Sequence, residues 1–512
     1  MNISFRTRAV ALVLAGLGAV LATAQEPDTA LRFPLLLSDF TAPAIDRGLR
    51  DNDPPREPRR ESTARIVRDE PFERGSIIVK FRAGTPAAAR RAMLAQVDGF
   101  TTQALPYASF DIVAIDPAAD PEAAARRLDA QPDVDYAQAR YRISPMFTPN
   151  DPFYSRQWNY PAIDMERAWD INPGAAPGIT VAVLDSGVAY RSGLFRYNAR
   201  AFGIANGPMF PALGAVDIPF AAAPELGGPE RFVSPRNFIW NDTNPLDLDG
   251  HGTHVAGTIG QLTNNSVGVA GMAFNVRIMP VKVIDTFWDI IFGSPFRGTD
   301  DVVARGVRYA VDNGAKVLNM SIGRTGPPAP VMQEAIQYAV AQGAFVVAAA
   351  GNEFLDGNST PRPADIAPLV DGMVAVAAIG RDRVRARYSS TGSFVELAAP
   401  GGDTSRGGTE AGILQQTFAT EFTETFLQGP SRYTAPRFDV FAYEFFQGTS
   451  MAAPHVAGFA ALLMQQGITS PAAIEAMMKR YATDLGPEGR DNEYGYGLIN
   501  PRAALRGMGL MR

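Results

Sequence analysis

Four short segments of this chain each hold a side chain suited to one step of acyl transfer. Asp185 ends the apolar run in VAVLDSGV, and His251 opens DGHGTHVAGTIG. Asn352 closes VVAAAGNE, and Ser450 sits in FQGTSMAAPHVAGFAALL. A serine hydroxyl is unreactive at its own pKa and needs a base, here a histidine, that takes its proton and returns it to the leaving amine. An aspartate on the other ring nitrogen keeps that nitrogen protonated and stabilises the imidazolium. The side-chain N–H of Asn352 and the backbone N–H of Ser450 are the donors expected to hold the oxyanion. Only three histidines occur, so the base follows by elimination. His254 shares a helix face with His251 but lacks the carboxylate of an HExxH metal pair, and His455 lies within an apolar helix. Both read as packed core residues.

The surrounding pattern predicts how these groups are positioned. From Asn150 onward the apolar runs ITVAVL, VRIMPVKVI, KVLNMSI, AFVVAAA and MVAVAAI alternate with the helical segments HGTHVAGTIGQL, TDDVVARGVRYAVDNG and APVMQEAIQYAVAQG. Two more helices are expected from Thr449 to about Gln466 and from Pro471 to about Arg480. Continuous rather than alternating apolar strands indicate an α/β domain, a mostly parallel sheet with helices on both faces. Such sheets place working residues at the carboxyl ends of strands. Asp185 and Asn352 take that position. His251 and Ser450 take the first turn of a helix, where backbone N–H groups are unpaired and the helix field is positive.

Upstream lies a different region. MNISFRTR, the apolar AVALVLAGLGAVL and Ala22-Thr23-Ala24 read as a signal peptide over 1–24, its apolar core too short to span a bilayer. Residues 25–73 are rich in Pro, Arg and Asp without periodicity and are expected to be a disordered spacer. SIIVKFRA, FDIVAID and VDYAQARYRI read as strands. PAAARRAMLAQV and PEAAARRLDAQ read as helices, led by Thr85 and Asp120 with prolines at their first positions. Residues 74–144 therefore predict a small α+β unit, ferredoxin-like in type, ahead of the main domain at 150–508.

The formal charge of −6 is mild for 512 residues, so neither a nucleic-acid partner nor an anionic membrane surface is indicated. The absence of cysteine excludes disulfides, a thiol nucleophile, thiolate metal sites and a lipidated cysteine anchor. No later apolar run is long enough for a membrane span. A secreted monomer, extracellular or periplasmic and without a membrane anchor, is expected.

The segments DSG, HGTH, AAAGN and GTSMAAPHVAG resemble the four signatures of subtilisin-like serine proteases, in the acid, base, serine order of that family. TPNDPFYSRQW, TNNSVGVAGMA, GAKVLNMSIG and VELAAPGG match as well. The 74–144 unit resembles the family's inhibitory propeptide. The resemblance implies an endopeptidase acting on protein and peptide substrates, made as a zymogen with its own propeptide as intramolecular inhibitor. It implies substrate-strand pairing by Ser321, Ile322 and Gly323 and by Ala348, Ala349, Ala350 and Gly351. Glu353 falls near the primary pocket, either favouring a basic side chain or standing as a solvated rim carboxylate. The family wraps a calcium ion in the loop matching 263–269. Thr263, Asn265, Val267 and Val269 would be its ligands, with Asp151 supplying charge. The acidic residue of the family pattern HPDL is expected to be missing, replaced by VAYRSGLFR. Asp242, Asp247 and Asp249 form either a second ion site or an acidic surface loop. Insertions are read at about 190–232 and 402–446. A lipase is disfavoured by the lack of a GxSxG elbow; a self-cleaving scaffold protein of the same fold is the other reading.

Overall fold

The computed structural model describes residues 31–33, 72–103, 107–141, 147–204 and 207–509. The expected signal peptide and most of the expected spacer lie outside those residues. The chain divides into two compact units, Asp46–Met146 and Met1–Ile45 with Phe147–Arg512.

The smaller unit is an antiparallel sheet ordered Phe100–Gln103, Asp111–Ala114, Phe72–Phe81, Val134–Tyr141. Helices Ala87–Leu94 and Pro121–Asp129 accompany it. Asp120 caps the second helix by accepting from the Glu122 N–H at 2.9 Å, with Pro121 pre-set for the first turn. Thr85 does not cap the first; its hydroxyl bonds back to the Arg82 carbonyl at 2.9 Å, and Pro86 takes the cap position. Ile77, Val79, Val113 and Leu128 are fully buried at its centre. The strand Phe100–Gln103 was not foreseen, because FTTQ is too short and polar to show alternation.

The larger unit is built on seven parallel strands ordered Arg236–Asn237, Arg277–Lys282, Thr180–Asp185, Val317–Met320, Phe345–Ala349, Met373–Ile379, Leu397–Pro400. Each predicted run contributes one strand. Successive side chains point to opposite faces, so one strand feeds two cores. Val181 and Val183 pack with Val255, Ile259 and Val456, from the helices His251–Gly260 and Thr449–Gln465. Ala182 and Leu184 pack with Val307 and Ile336, from helices Asp300–Asp312 and Pro330–Ala341. The two helices carrying His251 and Ser450 thus share one face and also contact each other.

The two inserted intervals are largely ordered. Gly193–Ala199 pairs antiparallel with Gly214–Phe220, and Ile413–Phe418 pairs with Phe441–Phe446. They meet where Phe220 stacks on Phe438, ring centroids 5.0 Å apart, and where the Ala221 N–H donates to the Phe438 carbonyl at 3.0 Å. The two intervals read as insertions are joined there by main-chain bonds. Leu31–Phe33, within the expected spacer, pairs parallel with Phe202–Ile204 of the first insertion.

Candidate active site

Asp185 is the last residue of its strand and is fully buried. Its Oδ1 meets His251 Nδ1 at 2.7 Å and also accepts from the Ser186 N–H at 2.7 Å. The His251 helix starts sharply because Gly250 adopts φ +113°, and a side chain there would meet Thr417 Oγ1 at 2.6 Å. The His251 side chain keeps 13% exposure. Burial pulls its pKa down. The Asp185 charge and hydrogen bond, with the charges of Asp249 and Asp247, outweigh that and push it up to about 9.

Ser450 lies in the first turn of the Thr449–Gln465 helix, behind Gly448 at φ +154°. This region of backbone space is nearly closed to residues with a Cβ. A Cβ built on Gly448 would sit 3.6 Å from Asn352 Nδ2 and 3.6 Å from the Ser450 amide nitrogen, so the open face of the glycine lies beside both candidate oxyanion donors. Asn352 is oriented by the same turn. Its Oδ1 accepts from the Thr449 N–H and from Thr449 Oγ1, both at 3.0 Å, which leaves its NH₂ free. The Ser450 N–H, one of the unpaired donors of a helix start, bonds no acceptor among the described residues.

The helix interior contains Pro454, which lacks the N–H that would bond the Ser450 carbonyl four residues back. Ser321 fills that gap: its hydroxyl donates to the Ser450 carbonyl at 2.7 Å. In return the Ser450 hydroxyl donates to the Ser321 carbonyl at 3.0 Å. The expected hydrogen bond from Ser450 to His251 is not formed.

One cleft takes in Ser450, Asn352, Ser321, Ile322, Gly323, Ala349, Gly351 and Glu353. His251 is not part of its lining. Glu353 is half-buried, and its Oε2 accepts from the Ser390 hydroxyl at 3.1 Å. His254 and His455 are fully buried; burial holds their pKa values down at about 3 and about 4.

Around the 263–269 loop, Asp151 Oδ2 accepts from the Asn264 N–H at 2.7 Å, and Asn265 Oδ1 accepts from the Val267 N–H at 2.9 Å. A buried acidic residue does lie against the loop. Glu225, buried beneath the loop, accepts from the Val269 N–H at 3.2 Å through Oε2, and its carbonyl accepts from the Leu262 N–H at 2.8 Å. It sits in PEL, far along the chain from Asp185. Gln416 donates to its Oε1 at 3.0 Å, and the Tyr443 hydroxyl donates to the same oxygen. The carbonyls of Thr263, Val267 and Val269 accept no hydrogen bond from a described residue, although Val269 is fully buried. Two carboxylates and unpaired carbonyls are hard oxygen donors of the kind calcium takes.

The second acidic set does not fit an ion. Asp247 spends both oxygens on five donors, and Asp242 Oδ1 accepts from the Asn244 N–H at 2.8 Å. Among the described residues, no group of three or more His, Cys, Asp or Glu gathers as a metal cluster.

Comparison with known proteins matches residues 176–497 to the subtilase family and residues 59–139 to the fervidolysin N-terminal prodomain. A thermophilic serine proteinase of Bacillus sp. (strain AK1) is 31% identical over 441 residues, covering 85% of this chain and 88% of that protein. Thermitase of Thermoactinomyces vulgaris is 33% identical, covering 70% of this chain and all of the relative. Among solved structures, a Pseudoalteromonas arctica protease superposes with TM-score 0.53 at 29% identity, covering 71% of this chain and 100% of that one. Fervidolysin from Fervidobacterium pennivorans shares the fold at TM-score 0.51 and 24% identity, covering 86% and 62%. The parallel sheet, the cleft at its carboxyl edge and these matches make the chain a member of the subtilase family, a serine endopeptidase preceded by a fervidolysin-type prodomain.

Proposed function

We propose that this subtilase is exported, cuts its own propeptide and then hydrolyses proteins through an acyl-enzyme formed on Ser450. The observation that carries the reading is the 2.7 Å contact of buried Asp185 with His251, together with the Ser450 N–H at a helix start and Asn352 Nδ2 on the neighbouring strand-end loop, both 3.6 Å from the open face of Gly448. In the reaction His251 Nε2 takes the Ser450 proton as Oγ bonds the scissile carbonyl carbon. Negative charge on the former carbonyl oxygen is held by the Ser450 N–H and Asn352 Nδ2. Collapse breaks the C–N bond, and His251 returns the proton to the departing amine. Water then repeats the sequence and frees the acid, while Asp185 stabilises the imidazolium in both halves.

Ser321, Ile322 and Gly323 on one side, and Ala349 and Gly351 on the other, would pair with the main chain of an extended substrate. Residues 1–24 would direct export to an extracellular or periplasmic space, 25–73 would serve as spacer, 74–144 as inhibitor and 150–508 as the protease. The donor chemistry of Asp151, Glu225, Asn265 and the carbonyls of Thr263, Val267 and Val269 supports a structural calcium ion. When bound it would tie the loop together; it takes no part in the reaction.

Expression of a Ser450→Ala variant tests this reading. The variant should keep the 74–144 unit covalently attached, while the wild-type chain is trimmed between about 141 and 150 and then degrades casein. Normal trimming of the variant together with casein turnover would overturn it.

A further inference from the structure

We propose that Asp247 is a positioning residue, which clamps the end of the Asp185 strand to the start of the His251 helix. The proposal rests on the reading of Asp185 and His251 as the charge-stabilised base. Asp185 and His251 are 66 positions apart, and most of that interval is the first insertion. The two groups nevertheless hold a 2.7 Å contact. Something other than the intervening chain must set their register.

Asp247 has the geometry to do so. It is fully buried and faces five donors. Oδ1 accepts from the Ser186 hydroxyl at 2.9 Å, the Asp249 N–H at 3.0 Å and the Gly250 N–H at 2.9 Å. Oδ2 accepts from the Thr253 N–H at 2.9 Å and the Thr253 hydroxyl at 2.6 Å. Two of these partners extend the clamp. Ser186 Oγ accepts from the Gly252 N–H at 3.0 Å, and Thr253 Oγ1 accepts from the Ala189 N–H at 3.0 Å. One carboxylate therefore joins residues 186 and 189, just beyond the strand, to residues 249–253 around His251. Two of its bonds are to N–H groups that a helix start otherwise leaves unpaired.

Only an ionised carboxylate can serve this role. All five neighbours donate, so a carboxamide would turn an NH₂ toward at least one donor and open that arm. No basic side chain among the described residues pairs with Asp247. A cation would add no second geometric constraint, whereas five convergent donors fix both oxygens.

The test compares Asp247→Asn, Ser186→Ala and Thr253→Val in the full-length, self-processed enzyme. Each is measured by kcat and KM on a short peptide substrate and by the low-field proton resonance of the His251–Asp185 hydrogen bond. Asp247→Asn should lower kcat about 100-fold with KM nearly unchanged and should shift or broaden the resonance. Thr253→Val should lower kcat about 10-fold, and Thr253→Ser, which keeps the hydroxyl, should restore most of it. Should Asp247→Asn fail to fold, the two single-arm variants carry the test. Folded variants with wild-type kcat and an unmoved resonance would overturn the proposal. A wild-type chain without amidase activity or that resonance would instead remove the catalytic reading beneath it.

Discussion

His251 and His254 stand one turn apart on the same helix, and their surroundings shift their pKa values in opposite directions. His251 faces Asp185 on the sheet edge, with Asp249 and Asp247 on the preceding loop, and its pKa is pushed up to about 9. His254 points to the hairpin Ile413–Phe418/Phe441–Phe446. There its Nε2 lies 3.0 Å from the Ile413 carbonyl and 3.2 Å from that of Glu444, and its ring stacks on Phe446 at 4.4 Å. Burial without a carboxylate partner drops its pKa to about 3. Burial alone pulls both imidazoles down, so the neighbouring carboxylates decide which one titrates as a base. One ring is built to exchange a proton and the other to hold a helix against a hairpin.

The sharpest way to break this contrast is to delete each ring in turn. His251→Ala should cost roughly 10⁶ in kcat, a magnitude taken from a subtilisin relative rather than from this geometry, and should also lower the melting temperature near neutral pH, because buried Asp185 loses its partner. Asn352→Ala should follow at about 10²–10³ in kcat, again the size known for a subtilisin donor, with KM little changed. His254→Ala should act on stability alone. Loss of packing and two orphaned carbonyls should destabilise the fold by roughly 2–4 kcal/mol in denaturant titration, while the folded fraction keeps its turnover.

Titration sharpens the same contrast. Catalysis needs neutral His251, so the acidic limb of kcat/KM should lie above the ordinary histidine value of about 6.5, toward 9. The stability contributions have opposite signs. The raised pKa of His251 stabilises the fold fully below about 6.5, and that contribution is lost as pH rises through about 9. The lowered values of His254 and His455 remove stability as pH falls from about 6.5 toward 3–4. Melting curves of His254→Gln against pH should show a shallower acid arm than wild type. The smallest effect concerns the Asp151–Glu225 loop. Chelation of calcium should lower the melting temperature by several degrees and leave the pH limb of kcat/KM in place. An unchanged melting curve would remove the ion from the account.

Much of this was legible because the relevant signals are local. Asp185 and Asn352 follow continuous apolar runs, and His251 and Ser450 sit in small-residue helix starts, so pattern alone placed them at strand ends and helix N-termini. What escaped the sequence depends on contacts between distant segments. Glu225 lies far along the chain from the 263–269 loop, so its place beneath that loop shows only in the fold. The hairpin Ile413–Phe418/Phe441–Phe446 lies within the interval read as the second insertion, because its two strands are far apart in the chain and pair only in the fold. Asp247 read as a candidate ion ligand because five donors converging on a carboxylate cannot be seen in DLDG. The exchange of hydrogen bonds between Ser321 and Ser450 follows from the missing N–H of Pro454, a consequence visible only once the two segments are adjacent.

The most direct test of the central claim is covalent labelling of the mature protein with a fluorophosphonate, followed by mass-spectrometric mapping of the adduct. The account predicts one adduct on Ser450 that disappears in His251→Ala and in denatured protein. Labelling elsewhere, or no labelling of a folded and propeptide-free chain, would contradict it.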